Sequence, residues 1–230
     1  MRKINLIGTI ILIGILGFSI FIGNITKQSF LNIEVSKILN NRDEKKFFLD
    51  DSLNLFKTPL KYEELYSNSD TILKLEPIPN SQKIVFGEML TKCKVKDIIK
   101  GEERLKEIYV YEDMYIHTNW NNFPNPPKKI EYDIISYNGY NLMNHENEYI
   151  LFLNKIENPI VGDNIPTFKL SYGLLSKYNI NKKYKYTLIN SEQNNTYVDL
   201  KEADIYFKNE KEKEYYDRLS EKVFQISKQI

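Results

Sequence analysis

The sequence predicts a mainly β (α+β) domain held behind an apolar N-terminal segment and ended by an amphipathic helix. Three observations carry the prediction. From Thr71 onward, short runs of β-branched and aromatic residues are broken by Gly, Pro, Asn and Asp, the punctuation of strands. Residues 4–25 contain no charged side chain. Residues 209–230 carry apolar side chains at alternating intervals of three and four, the period of one helix face.

At the N-terminus, "INLIGTIILIGILGFSIFIGNI" follows the basic "MRK". Its ~22 residues suffice to cross a ~30 Å hydrocarbon layer as a helix. Arg2 and Lys3 place the N-terminus in the cytoplasm by the positive-inside rule, and so the remainder outside. The residues expected in the lipid include Ile4, Leu6, Ile10, Leu12, Ile15, Phe18 and Phe21. An uncleaved anchor competes with a cleaved signal peptide, which would leave the domain secreted. The best cut, after Gly17-Phe18-Ser19, falls inside the apolar run, and no cysteine follows to take a lipid. Gly8, Gly14 and Gly17 flatten one side of this helix.

Residues 26–59 are mixed and polar and read as a stalk, with "RDEKKFFLDD" a solvated linker. The extracytoplasmic domain is expected over residues 60–207. "YEELYSNSD" is a short helix ending in a Ser/Asn/Asp turn, and "TILKLEPIPNS" a strand stopped by two prolines. "KIVFGEMLTKCKVKDIIKG" reads as one long strand with a bulge or bend at Gly87. Period two puts Thr91, Cys93 and Val95 on one face and Lys92, Lys94 and Lys96 on the wet one. Cys93 is then a small core residue. "EIYVYEDMYI" is a strand, "HTNWNNFPNPPKK" a loop, and "IEYDIISYN" a strand or an extended excursion. The unbroken "YILFL" of Tyr149–Ile156 indicates a strand buried on both faces. "TFKLSYGLLSKY" and "YKYTLIN" are further strands, and "TYVDLKEADIYF" is ambiguous. In residues 208–230, Asn209 and Glu212 form an N-cap pattern, and Tyr216, Leu219, Val223, Ile226 and Ile230 make a stripe that should pack on the β domain.

The order of parts over roughly residues 60–180 resembles the OB-like antiparallel β-barrel of the tissue inhibitors of metalloproteinases and the netrin-type module. It is also similar to small bacterial anchored or secreted domains. The likeness rests on "NSD" before "TILKLE", on "VKDIIKG" before "EIYVYE", and on "NEYILFL". It implies a barrel with short flanking helices. Those inhibitors dock through an N-terminal cysteine and are stapled by disulfides; this chain has one cysteine, so inhibition does not carry over.

Composition narrows the function classes. A formal net charge of +1 provides no field to collect nucleic acid, which is not expected as a partner. The abundance of Ile, Lys and Asn suits a low-GC bacterial chain. His117 and His145 are the two histidines, too few for a zinc site without acidic help, and neither metal nor cofactor is expected. The sequence shows no nucleophile elbow, zincin, P-loop or EF-hand pattern, and no catalytic residue is assigned. The best recognition surface is "YIHTNWNNFPNPP", where Tyr115, His117, Trp120 and Phe123 cluster on an Asn/Pro loop. Trp120 either anchors a partner there or folds back to plug the barrel. The expected function is therefore a membrane-anchored, extracytoplasmic binding domain of a bacterial cell envelope, without catalysis. Its partner would be an envelope protein or polymer. An envelope hydrolase and a protective protein against a peptide or toxin are the competing readings.

Overall fold

A computed structural model describes residues 14–15, 17–19, 47–50, 56, 60–102, 104–118, 132–159, 164–180, 184–189 and 203–227. A short helix α1 (Tyr62–Ser67) leads into β2 (Thr71–Pro77), preceded by β1 (Phe47–Asp50). There follow β3 (Lys83–Val85), β4 (Glu88–Lys100), β5 (Glu107–Thr118), β6 (Tyr132–Tyr137), β7 (Tyr149–Lys155) and β8 (Thr167–Leu170). A 3-10 turn (Gly173–Ser176), β9 (Lys177–Asn179), β10 (Tyr186–Leu188), β11 (Ile205–Phe207) and α2 (Glu210–Ser227) complete the order.

Five strands close a barrel. β2 pairs with β4, β4 with β5, β5 with β8, β8 with β7, and β7 with β2 again. Every pairing is antiparallel except β5 with β8. Counted by the barrel strands alone, the order is 1-2-3-5-4-1, that of an OB-like barrel. Closure removes the sheet edges that an open five-stranded sheet would expose. β4 is long enough to pair with three strands, β2, β3 and β5, and two irregularities against β2 let it bend round the barrel.

The sheet continues beyond the barrel. β6 pairs with the end of β5, β1 runs parallel to β6, and β3 pairs with the start of β4. β5 therefore changes neighbour on one edge: Tyr109–Tyr111 face β8, and Met114–Thr118 face β6. Glu112 and Asp113 fall at the fork.

The alternation expected along β4 is present. Thr91 and Cys93 are buried, Lys94 and Lys96 are exposed, and Lys92 and Lys96 pair with Glu107 and Glu76. β7 is buried on both faces, as "YILFL" predicts. The covering layer shows why: Phe152 meets Tyr62 of α1 and Tyr178 edge-on, and Tyr178 stacks on Tyr216 of α2. α2 starts where its cap was expected, with the Glu212 N–H donating to Asn209 Oδ1 at 3.0 Å. Tyr216, Leu219 and Val223 are buried in the main core.

Four expectations change. Gly87 is not a bulge; Phe86 and Gly87, at φ of 52° and 88°, form a two-residue hairpin that splits the predicted strand into β3 and β4. "TFKLSYGLLSKY" is divided by the 3-10 turn, because Leu174 and Leu175 tuck into the core. Phe47–Asp50, within the sequence read as solvated linker, is paired as β1. His117 and Thr118 belong to β5 rather than to the loop after it. Of the expected membrane segment, Ile15 and Phe18 are helical with 59% and 64% exposure, while Ile4, Leu6, Ile10, Leu12 and Phe21 lie outside the described residues. Among the described residues, no helix is long and apolar enough to cross a membrane.

The turn after β6 gives a stability test. Asn138 and Gly139 have φ of 53° and 80°, and the Tyr206 N–H donates to the Gly139 carbonyl at 3.0 Å. A Cβ on Gly139 would collide with the Tyr206 backbone oxygen. Gly139→Ala should therefore lose about 2 kcal/mol or more in urea unfolding, combining unfavourable φ with loss of the β6–β11 contact. An unchanged midpoint would show that this turn does not tie the two elements together.

Candidate functional site

β5 positions both sides of the site. Its inward residues are Ile108, Val110, Glu112, Met114 and Ile116, so a carboxylate stands in an apolar phase. Glu112 is 4% exposed. An ion there is costly unless its lone pairs are filled. Three donors fill them: the Thr91 hydroxyl, the Tyr140 hydroxyl at 2.7 Å and the Met143 N–H at 2.7 Å. Lys177 completes the group. Its Nζ sits 3.8 Å from the Tyr140 ring centroid and donates to the Asn141 carbonyl. The Tyr216 hydroxyl donates to the Lys177 carbonyl, tying α2 to the cluster.

Burial pushes the Glu112 carboxyl upward, while Lys177 and the three hydrogen bonds pull it back. Burial likewise brings Lys177 down to about 8, opposed by Glu112, Asp204 and Asp113. The Tyr140 hydroxyl is raised well above its ordinary value by burial and by Glu112. All three donors address Glu112 as an acceptor, the pattern of an ionised carboxylate.

The next residue, Asp113, points to the other side of β5. There a cavity of about 350 Å³ opens at the fork between β8 and β6. Tyr111, Tyr115 and Tyr137 line it, with Glu88 and Asp113 as its outward carboxylates, Lys169, and Asn158 and Pro159 from the segment between β7 and β8; Glu112 and Met114 of β5 also border it. Burial pushes Asp113 up to about 6; Lys177 lowers it, and Glu112 and Glu88 raise it further. Tyr111 is also raised, by burial and Glu88. In barrels with this strand order, recognition commonly uses the second and third strands and the loops joining strands one to two and four to five. Here these are β4, β5 and residues 78–87 and 156–166; the cavity is lined from β4, β5 and the start of the second loop, at Ile156, Asn158 and Pro159.

At the hairpin beside the cavity, Phe86 is 70% exposed in a left-handed conformation. An aromatic residue held there stores strain of roughly 1–2 kcal/mol. Gly87 is required because Tyr115 lies against it, where a Cβ would strike the ring.

Of the residues expected to form the binding loop, Tyr115 is placed on the cavity wall. His117 pairs by backbone with Asp133, and Trp120 and Phe123 lie outside the described residues. His145 is exposed in a turn. Sequence reasoning missed Glu112, Asp113, Lys177 and Phe86. Glu112 had a visible signal, an acid in the apolar phase of "EIYVYEDMYI". Lys177 had none, since its partners come from distant segments. Among the described residues, no group of three or more His, Cys, Asp and Glu is placed to hold a metal ion.

The fold and site define a small closed barrel of OB-like strand order with an aromatic, acidic cavity on its second and third strands. Comparison of the chain with protein-family models, with curated proteins and with solved structures finds no match.

Asp113 sets a pH dependence. Its carboxyl titrates higher in the folded chain than in the unfolded one, from 3.8 to about 6. Its stabilising contribution is complete below pH about 4 and is lost as pH rises through about 6. Asp113→Asn should flatten the stability profile over this window, on the order of 2 kcal/mol, in urea unfolding at stepped pH. An unaltered slope would place the carboxyl in water.

Proposed function

We propose that this chain is a membrane-anchored, extracytoplasmic binding domain of a bacterial cell envelope, and that its contact surface is the outer side of β4 and β5. The observation that carries the reading is the cavity at the fork. Its volume suits a side chain or small ligand, its walls are aromatic, and it adjoins an exposed aromatic held in a strained turn. The membrane placement rests on the uncharged residues 4–25 behind Arg2 and Lys3. The OB-like strand order suits a binding barrel and lends the partner no identity.

One observation favours a second reading, an envelope hydrolase. Asp113, with its carboxyl raised to about 6, and Glu88 could divide general-acid and general-base roles in one cavity. Turnover of a wall-derived substrate that disappears in Asp113→Asn would favour it.

The binding reading predicts a site-specific crosslink. With Phe86 replaced by p-benzoylphenylalanine in intact cells, irradiation should yield a discrete envelope product. Replacing exposed Lys222 of α2 in the same way should yield none. Adding Tyr115→Ala should reduce the product at least about fivefold, as expected for loss of an interface aromatic. Identical products from positions 86 and 222, or none from 86, would remove β4 and β5 as the contact face.

A further inference from the structure

Resting on the binding-face reading, we infer that the cavity at the β8–β6 fork takes an organic ammonium cation, presented as the lysine side chain of a polypeptide partner. The cavity selects by shape and charge together. Tyr111, Tyr115 and Tyr137 offer aromatic surface, which attracts a cation through the ring quadrupole. Glu88 and Asp113 add carboxylates on the same side. Asp113 accepts no hydrogen bond and forms no ion pair with another described residue. Burial and the neighbouring acids Glu112 and Glu88 oppose its charge, and Lys177 favours it through space without a hydrogen bond or ion pair to it among the described residues.

Contrast with the inner side of β5 sharpens the assignment. There Glu112 has three donors and faces Lys177. The outer carboxylates have no such arrangement. Lys169 lines the cavity but is exposed and forms no ion pair among the described residues, leaving Glu88 and Asp113 in excess over it. A ligand ammonium entering past Tyr115 would supply the missing charge. A polypeptide source is indicated by Phe86, an exposed apolar contact one residue from Gly87 and two from Glu88. A lysine on a chain can reach the cavity while its neighbours cover that ring.

Asp113 also makes the site pH-dependent. The charged groups facing it are Glu88 from β4, Glu112 on its own strand, Lys177 from β9 and Lys169 from β8. Protonation of Asp113 below pH about 6 removes one of the two outward carboxylates that face the cation.

The test titrates full-length chain in detergent micelles by NMR with three probes: N-acetyl-lysine methylamide, its Nε-acetylated neutral counterpart, and butylammonium. The charged lysine probe should shift Tyr115 and bind at least about tenfold more tightly than the neutral one. Its affinity should fall about tenfold from pH 7.5 to 5.0, following the ionised fraction of one carboxyl. Asp113→Asn should abolish the charged-probe preference, and Lys169→Gln should strengthen binding. Butylammonium binding as well as the lysine probe would overturn the polypeptide source. Equal binding of charged and neutral lysine probes, weakening by Lys169→Gln, or no shift with the charged probe would overturn cation recognition. The Phe86 crosslink reads the contact face separately: a retained crosslink with failed cation binding sinks this inference alone, and a lost crosslink sinks the reading beneath it.

Discussion

A single carboxylate inside the barrel sets the terms for the rest of this structure. Burying Glu112 ionised would cost several kcal/mol if it stood alone. The donors that prevent this come from β4, from the segment after β6, and, through charge, from β9. Each lies far from Glu112 in the chain. The carboxylate is therefore satisfied only when β4, β5 and residues 140–143 are in register together. Tyr140 has two roles: its hydroxyl bonds Glu112, and its ring carries the Lys177 ammonium. Tyr216 then connects the same lysine segment to the C-terminal helix.

The site follows from the same register. A strand sends successive side chains to opposite faces. With Glu112 fixed inward, Asp113 must face outward. The change of β5's neighbour from β8 to β6 leaves space beside these residues, and the tyrosines line it. The inner carboxylate has three hydrogen-bond donors within the fold, whereas the outer one feels Lys177 through space and has no donor among the described residues. Phe86 belongs to the same arrangement, since its hairpin lies against Tyr115 through Gly87. Strain in an exposed aromatic turn is tolerated when its neighbours hold it, and such places are often recognition sites.

Much of the fold was legible from local pattern. The two-sided burial of "YILFL", the wet lysines around Cys93 and the Asn209 cap all depend on period or capping chemistry that a sequence displays. The division at Phe86–Gly87 was harder, because a phenylalanine is an unusual occupant of a left-handed hairpin position. β1 was hidden because Phe47–Asp50 is flanked by charge and gains its partner only through β6. The site was half visible. Tyr115 stands out in the sequence by its aromatic neighbourhood and lines the cavity, whereas Glu112, Asp113 and Lys177 gain meaning from contacts across the barrel. Acids are abundant in this chain, with 31 in total, so no local rule singles out these two.

The claim that Glu112 and Lys177 act as one buried unit is tested most directly by a double-mutant cycle. Urea unfolding would be measured for the parent chain, Glu112→Gln, Lys177→Met and the double variant. Each single change leaves a buried charge or donor unmatched, and the double change removes both charges together. The predicted result is a double variant less destabilised than the sum of the singles by about 1–3 kcal/mol. Losses that add to within about 0.5 kcal/mol would show two independent buried groups. The barrel's register would then have to be explained by apolar packing alone.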